Sequence, residues 1–162
     1  MGQVYDLVSL QQAIAANPKQ WRPLVFTNGC FDLLHVGHVR YLSAAKTFGK
    51  TLVVGVNGDR SVREIKPQPN HLPSRPIIPE TQRAEILMAL GVVDAVVIFN
   101  ETTATRTIEI LQPEFYVKGG DYTPETLPEA AAVSAYGGQI RLIKIQDPTS
   151  TSGLITKILQ RQ

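Results

Sequence analysis

A chain of 162 residues, 43% hydrophobic and 19% charged, has the make-up of a soluble globular domain and can close a core without a disulfide or structural metal. Its net charge of +2 is too small to mark a nucleic-acid binder, and no apolar run approaches the ~20 residues of a membrane span. The single cysteine, Cys30, excludes an internal disulfide framework, and the first residues lack the basic and apolar regions of a signal peptide, so a cytoplasmic location is expected.

The spacing predicts an early helix over about 9–16. Strand-like apolar runs follow at 23–28, 51–57, 92–99, 114–119 and 139–145. Four of these are rich in Val, Ile or Leu, as strands buried on both faces require. Between them, 37–48, 80–90, 103–112 and 125–136 carry helical spacing, with Ala84, Leu87, Met88 and Leu90 recurring along one face, and a last helix is expected over about 151–161. The alternation predicts an α/β fold: a single Rossmann-like, doubly wound parallel sheet of about five strands flanked by helices, as one domain over 1–162.

One segment interrupts the pattern. Residues 57–80 hold five of the eleven prolines (Pro67, Pro69, Pro73, Pro76 and Pro79) and four cations, Arg60, Arg63, Lys66 and Arg75. Such a run cannot be regular throughout. A Pro-rich basic loop at about 60–79 reads as a flap over an anionic ligand or as a solvated excursion. "AAKTFGKT" (44–51) ends like a Walker A loop, but Ala44 replaces the first glycine and the order runs from helix to strand. Gly49 reads there as a helix C-cap. No G-x-G-x-x-G follows any strand.

"NGCFDLLHVGHVRYL" (28–42) lies at the carboxyl end of the first long strand, where open α/β sheets bind ligands. Asn28-Gly29 turns the chain out of the strand. Gly37 opens a helix whose N–H groups and dipole favour phosphate. His35 and His38 fit this anionic pocket as donors, or the core as capping histidines. A metal pair lacks further ligands, since His71 lies in the proline loop. Lys46, two turns beyond His38, can reach back toward a phosphate or stand in solvent. Lys118, Gly119, Gly120 and Asp121 follow another strand, and Ser150, Thr151 and Ser152 form an N-cap that could equally cap a phosphate.

"GCFDLLHVGHVRYL" resembles the H-x-G-H signature of the nucleotidyltransferase superfamily, in the branch with cytidylyltransferases. "VVGVNGDRSV", "RPIIPETQRAEIL", "YVKGGDY" and "STSGLITKI" resemble its later motifs in order, across roughly residues 20–160. "TNGCFD", "VKGGDY" and R-P with Q-R are most similar to the ADP-heptose synthases, the D-glycero-β-D-manno-heptose 1-phosphate adenylyltransferases. The resemblance implies transfer of AMP from ATP to a sugar 1-phosphate, with Mg2+ accompanying ATP and no organic cofactor. It implies catalytic roles for His35, His38, Lys46 and Arg83. It implies nucleotide binding by Asn28, Gly29, Cys30, Phe31, Gly37, His38, Lys118, Gly120, Asp121 and Ser150 to Ser152. Asp32, Asn57, Asp59, Lys66 and Arg75 are then expected at the substrate phosphate and flap, with Asp32 fixing the loop. Ile145 to Pro148 stand where the glycerol-phosphate cytidylyltransferase pattern has R-T-E-G, which favours ATP over CTP. The alternatives are a CTP-dependent enzyme for glycerol 3-phosphate or a similar phosphate, an FMN adenylyltransferase, and a non-catalytic nucleotide-binding module. Neither nucleic acid nor membrane is expected as a partner. A homodimer is implied by resemblance alone, and kinase and phosphatase steps are expected of separate proteins.

Overall fold

Runs of β-branched residues pair side by side when both faces can be covered by helices. The computed structural model, which describes residues 2–68, 72–120, 122–144 and 150–160, has six such strands. They are β1 (Gln3–Tyr5), β2 (Leu24–Gly29), β3 (Thr51–Asn57), β4 (Ala95–Phe99), β5 (Phe115–Gly119) and β6 (Gln139–Ile143). All pair in parallel, in the order β1-β4-β3-β2-β5-β6. The expected sheet of about five strands therefore gains one. β1 is only three residues, pairs with Ala95–Val97 at the sheet edge and carries no apolar run for periodicity to detect.

Side chains alternate across the sheet with period two. Leu24, Phe26, Val53, Val97 and Tyr116 pack on one face with Leu10 and Ile14 of α1 (Leu7–Ala16), past which the short α2 (Pro18–Trp21) leads to β2. α6 (Thr105–Leu111) and α7 (Ala130–Ala135) cover the same face through Ile108, Leu111 and Val133. Val25, Leu52, Val54, Val56, Val96 and Val117 pack on the other face against α3 (Val36–Lys46) and α5 (Glu80–Met88). α3 leaves β2 toward β3 on one face, while β5, the other neighbour of β2, is reached through α6 on the opposite face. The strand order thus reverses between β2 and β5, and that switch point opens a crevice at their carboxyl ends.

Three expectations change in detail. The 57–80 segment is not a loop from its start: α4 (Asp59–Ile65) buries Ser61 and Val62 before the first of its prolines. The helix expected over 125–136 is split into a 3-10 turn (Pro124–Thr126) and α7, because Pro128 pushes Leu127 into extended backbone. Gly49 is not a left-handed C-cap. α3 ends at Lys46, and a Cβ at Gly49 would lie 2.6 Å from the Pro23 carbonyl, so close approach is what requires glycine there. α8 (Thr151–Leu159) follows Ser150, whose hydroxyl accepts the Gly153 N–H at 3.1 Å. Asp121, His71 and Ile145 to Pro148 lie outside the described residues.

Candidate active site

The last two residues of β2, Asn28 and Gly29, lead into a tight connection. Phe31 holds a positive φ of 47° there, a sparsely populated conformation for a non-glycine residue. Its ring is buried and packs 5.4 Å from that of His38; a Cβ at Gly29 would meet the same ring at 3.1 Å. His35 is the N-cap of α3, and His38 stands in the first turn with its ring 3.9 Å from that of His35. The His35 N–H points at Nδ1 of His38 at 3.4 Å, which makes Nδ1 an acceptor and leaves the proton on Nε2. Burial, then the adjacent His35, pulls the His38 pKa down from 6.5 to about 4. His38 is therefore a neutral imidazole with one N–H to give. Nδ1 of His35 is buried without a partner.

Beneath this connection lies a set of buried ion pairs. Asp32 is 1% exposed and accepts three donors: Arg75 Nε at 2.9 Å, the Ile77 N–H at 2.7 Å and the Ile78 N–H at 3.0 Å. It staples the returning end of the Pro-rich loop to the β2–α3 connection, in the place expected of it. Arg75, expected to meet a substrate phosphate, is committed to Asp32 through Nε, although it also lines the cleft. Arg83 departs further from expectation. Its guanidinium is fully buried and donates to the carbonyls of Ile78 (2.8 Å) and Cys30 and to the Asp59 carboxylate (2.8 Å). A fork whose three arms are already bonded is a brace for the loop, not a phosphate clamp. Asp59 is correspondingly engaged with Arg83 instead of standing free at a substrate.

Lys46 is misplaced by the sequence reading. It lies on the expected helix, but at the far end, where Nζ pairs with the Asp94 carboxylate and donates to the Lys50 carbonyl at 2.6 Å. Asp94 also accepts the Leu52 N–H at 2.6 Å, so the pair closes the amino ends of β3 and β4, opposite the crevice. Lys46→Ala is expected to leave ATP binding unchanged in calorimetric titration. Its cost in a thermal melt is that of a partly exposed ion pair, about 0.5–1 kcal/mol.

The opposite wall comes from β5 and the turn before α7. Lys118 Nζ donates to Asn28 Oδ1 at 3.2 Å, and that oxygen also accepts the Tyr116 hydroxyl at 2.8 Å. Tyr41 bridges Thr27 Oγ1 (2.6 Å) and the Val117 carbonyl (2.9 Å), tying α3 to β2 and β5. Asn57 donates to Ser61 Oγ at 3.0 Å at the head of α4. Glu129 is buried, and its Oε1 accepts the Ala104 N–H at 3.1 Å. Tyr41, Tyr116, Tyr122 and Glu129 were all missed by sequence reasoning. Aromatic residues in apolar runs read as core, and only the chain reversal through β5 brings them to the crevice.

The result is an open cleft in two lobes. The larger, of about 380 Å³, is lined by Asn28, Asn57, Thr102, Lys118, Tyr122 and Glu129 among others. The smaller, of about 330 Å³, runs from His35 and Gly37 to Arg75 and the N-terminus of α8 at Ser150, Thr151 and Ser152. Cys30, Phe31, His38, Tyr41 and Lys66 line both, so His38 stands at the seam. Burial pushes the Cys30 thiol up, away from reactivity. Gly120 follows β5 with a positive φ of 117°. Thus the structure brings together His35, His38, Gly37, Asn28, Lys66, Lys118 and Ser150 to Ser152, and sets Lys46 apart.

Known proteins share this arrangement. Bifunctional protein HldE of Geotalea uraniireducens (strain Rf4) is 51% identical over 155 residues, which cover 96% of this chain and 31% of that protein. The chain therefore spans about a third of the length of the curated relatives it matches. The crystal structure of the lipopolysaccharide core biosynthesis protein from Thermoplasma volcanium GSS1 superposes with a TM-score of 0.60 at 27% identity, over 77% of this chain and 97% of that one. Pantothenate synthetase from Thermus thermophilus shares the fold, with a TM-score of 0.55 at 14% identity over 90% of this chain and 61% of that one. Residues 26–152 match the family model described as Cytidylyltransferase-like. That match runs from within β2 to Ser152 and takes in every wall of the cleft: the chain belongs to the cytidylyltransferase-like family.

Proposed function

We propose that the chain is an adenylyltransferase that moves AMP from ATP to a sugar 1-phosphate, D-glycero-β-D-manno-heptose 1-phosphate, releasing pyrophosphate. The observation that carries this reading is the neutral N–H donor of His38 at the seam of two lobes, beside the first turn of a helix. A triphosphate in the smaller lobe would face the N-termini of α3 and α8, both favourable to anions. An acceptor phosphate in the larger lobe would meet Lys118 and Lys66. The ordered motifs shared with ADP-heptose synthases and the relatives named HldE support the sugar.

The chemistry asks little of a general base. An acceptor phosphate oxygen is already ionised near neutral pH. It forms a bond to the α-phosphorus, and the bond to the bridging oxygen of pyrophosphate breaks. What lowers the barrier is alignment and charge stabilisation. His38 Nε2–H is placed to donate to an oxygen at the reacting phosphorus, and Lys66 neutralises charge across the seam. The nearest carboxylates are committed elsewhere, Asp32 to Arg75 and two backbone N–H groups, Asp59 to Arg83 and Glu129 to Ala104. Magnesium would therefore be held chiefly by the triphosphate, where it would ease departure of pyrophosphate. The test is pyrophosphate release with ATP or CTP over heptose, hexose and polyol phosphates. The expected result is a magnesium-dependent signal with ATP and heptose 1-phosphate; a signal with CTP alone would overturn the reading.

A further inference from the structure

A carboxylate is out of place in a cleft that receives phosphates. Glu129 is 3% exposed, yet it lines the larger lobe on the same wall as Lys118. A buried charge persists only where donors or an opposite charge compensate it. One of its oxygens takes the Ala104 N–H at 3.1 Å. Beside it the Tyr116 hydroxyl donates to Asn28 Oδ1 at 2.8 Å, and the same oxygen receives Lys118 Nζ at 3.2 Å. The Leu127–Pro128 break between the 3-10 turn and α7 sets Glu129 there, as the N-cap of α7.

We propose that Glu129 is a positioning residue: from behind Tyr116 and Asn28, its buried carboxylate holds Lys118 in the cleft as a charged donor for the acceptor's phosphate. The role of the acceptor rests on the adenylyl-transfer reading above. The surroundings of Lys118 agree. Burial works against its ammonium, as does Lys66, while Glu129 and the Cys30 thiol favour it. The rings of Tyr122 and Tyr116 lie 5.6 and 6.0 Å from Nζ and also favour the cation. Among these, Glu129 is the largest influence on the side of the charged form. Without its charge, Lys118 must lose its proton at lower pH.

The experiment is an NMR titration of lysine Nζ groups in the ligand-free protein, with Lys118→Arg to identify the signal. In Glu129→Gln, Lys118 is expected to titrate about one pH unit lower than in wild type. The amide keeps an acceptor for Ala104, so the fold is retained. In the same variant the KM for the sugar phosphate is expected to rise about tenfold, and the KM for ATP to stay unchanged. An unshifted Lys118, or KM values that move together, overturns the assignment. Tyr116→Phe removes the hydroxyl but keeps the ring, and is expected to raise the same KM; it decides the matter if Glu129→Gln does not fold. A wild type that transfers no adenylyl group would overturn the functional reading instead, and leave the titration to decide Glu129.

Discussion

Arg83→Leu is expected to lower the melting temperature by roughly 10 °C and to raise the KM for ATP, a coupled loss that a phosphate-clamping arginine would not produce. The guanidinium is fully buried and has no route to a ligand except by breaking its own bonds. Removing it strands the Asp59 carboxylate and the carbonyls of Cys30 and Ile78. Breaking a buried pair by deleting one partner costs about 3–5 kcal/mol. For a domain of this size each kcal/mol moves the melting temperature by roughly 2–4 °C. The Cys30 carbonyl belongs to the connection that carries Phe31 and His38, so its release loosens the site at the seam. Arg83→Lys keeps the charge but cannot span three acceptors, and is expected to fall between wild type and Leu. Differential scanning calorimetry with ATP-dependent kinetics checks both. A Leu variant with wild-type melting and only weaker phosphate binding would restore the clamp.

Local pattern carried some of this and long-range pairing the rest. β3 was legible to the residue, Thr51–Asn57, because all seven of its side chains are buried and the apolar run has no gap. β1 was not, since three residues at an edge bury too little to leave a signature. α4 was hidden by composition: the prolines of its segment all fall after Ile65. At the site, His35 and His38 declare themselves because they are neighbours on one helix turn. Lys46 was misjudged by the same logic. Its spacing from His38 was right, but Asp94, 48 residues away, captures it at the other end of the sheet. Glu129 and Tyr116 reach the cleft only through the crossing of β5 beside β2, which no local period reports. Asp32 and Arg75 are paired across 43 residues, and the motif alone shows each without the other.

His38→Ala is expected to lower kcat by about 10²–10³ while leaving the far-ultraviolet circular dichroism of the protein unchanged, the scale found when one preorganised donor to a developing charge is removed. His38 is half-buried and braces nothing but the His35 N–H at 3.4 Å, so the fold does not depend on it as it depends on Arg83. His38→Gln supplies a neutral N–H of similar reach and is expected to recover at least part of the loss, which a general acid or base would not allow. The pH dependence separates the two further. With the imidazole pKa near 4, His38 stays neutral from pH 5 upward, so kcat shows no limb near 6.5 from this residue. The stability consequence follows from linkage. Between pH 6.5 and 4 the unfolded chain binds a proton at His38 that the folded protein refuses. Stability from this group is therefore intact above pH 6.5 and is lost as the pH falls toward 4. Urea unfolding across that window should show wild type losing stability with acid faster than His38→Gln. A kcat limb near 6.5 that vanishes in His38→Gln would instead make His38 a proton-transfer residue, and an Ala variant within threefold of wild type would remove it from the mechanism.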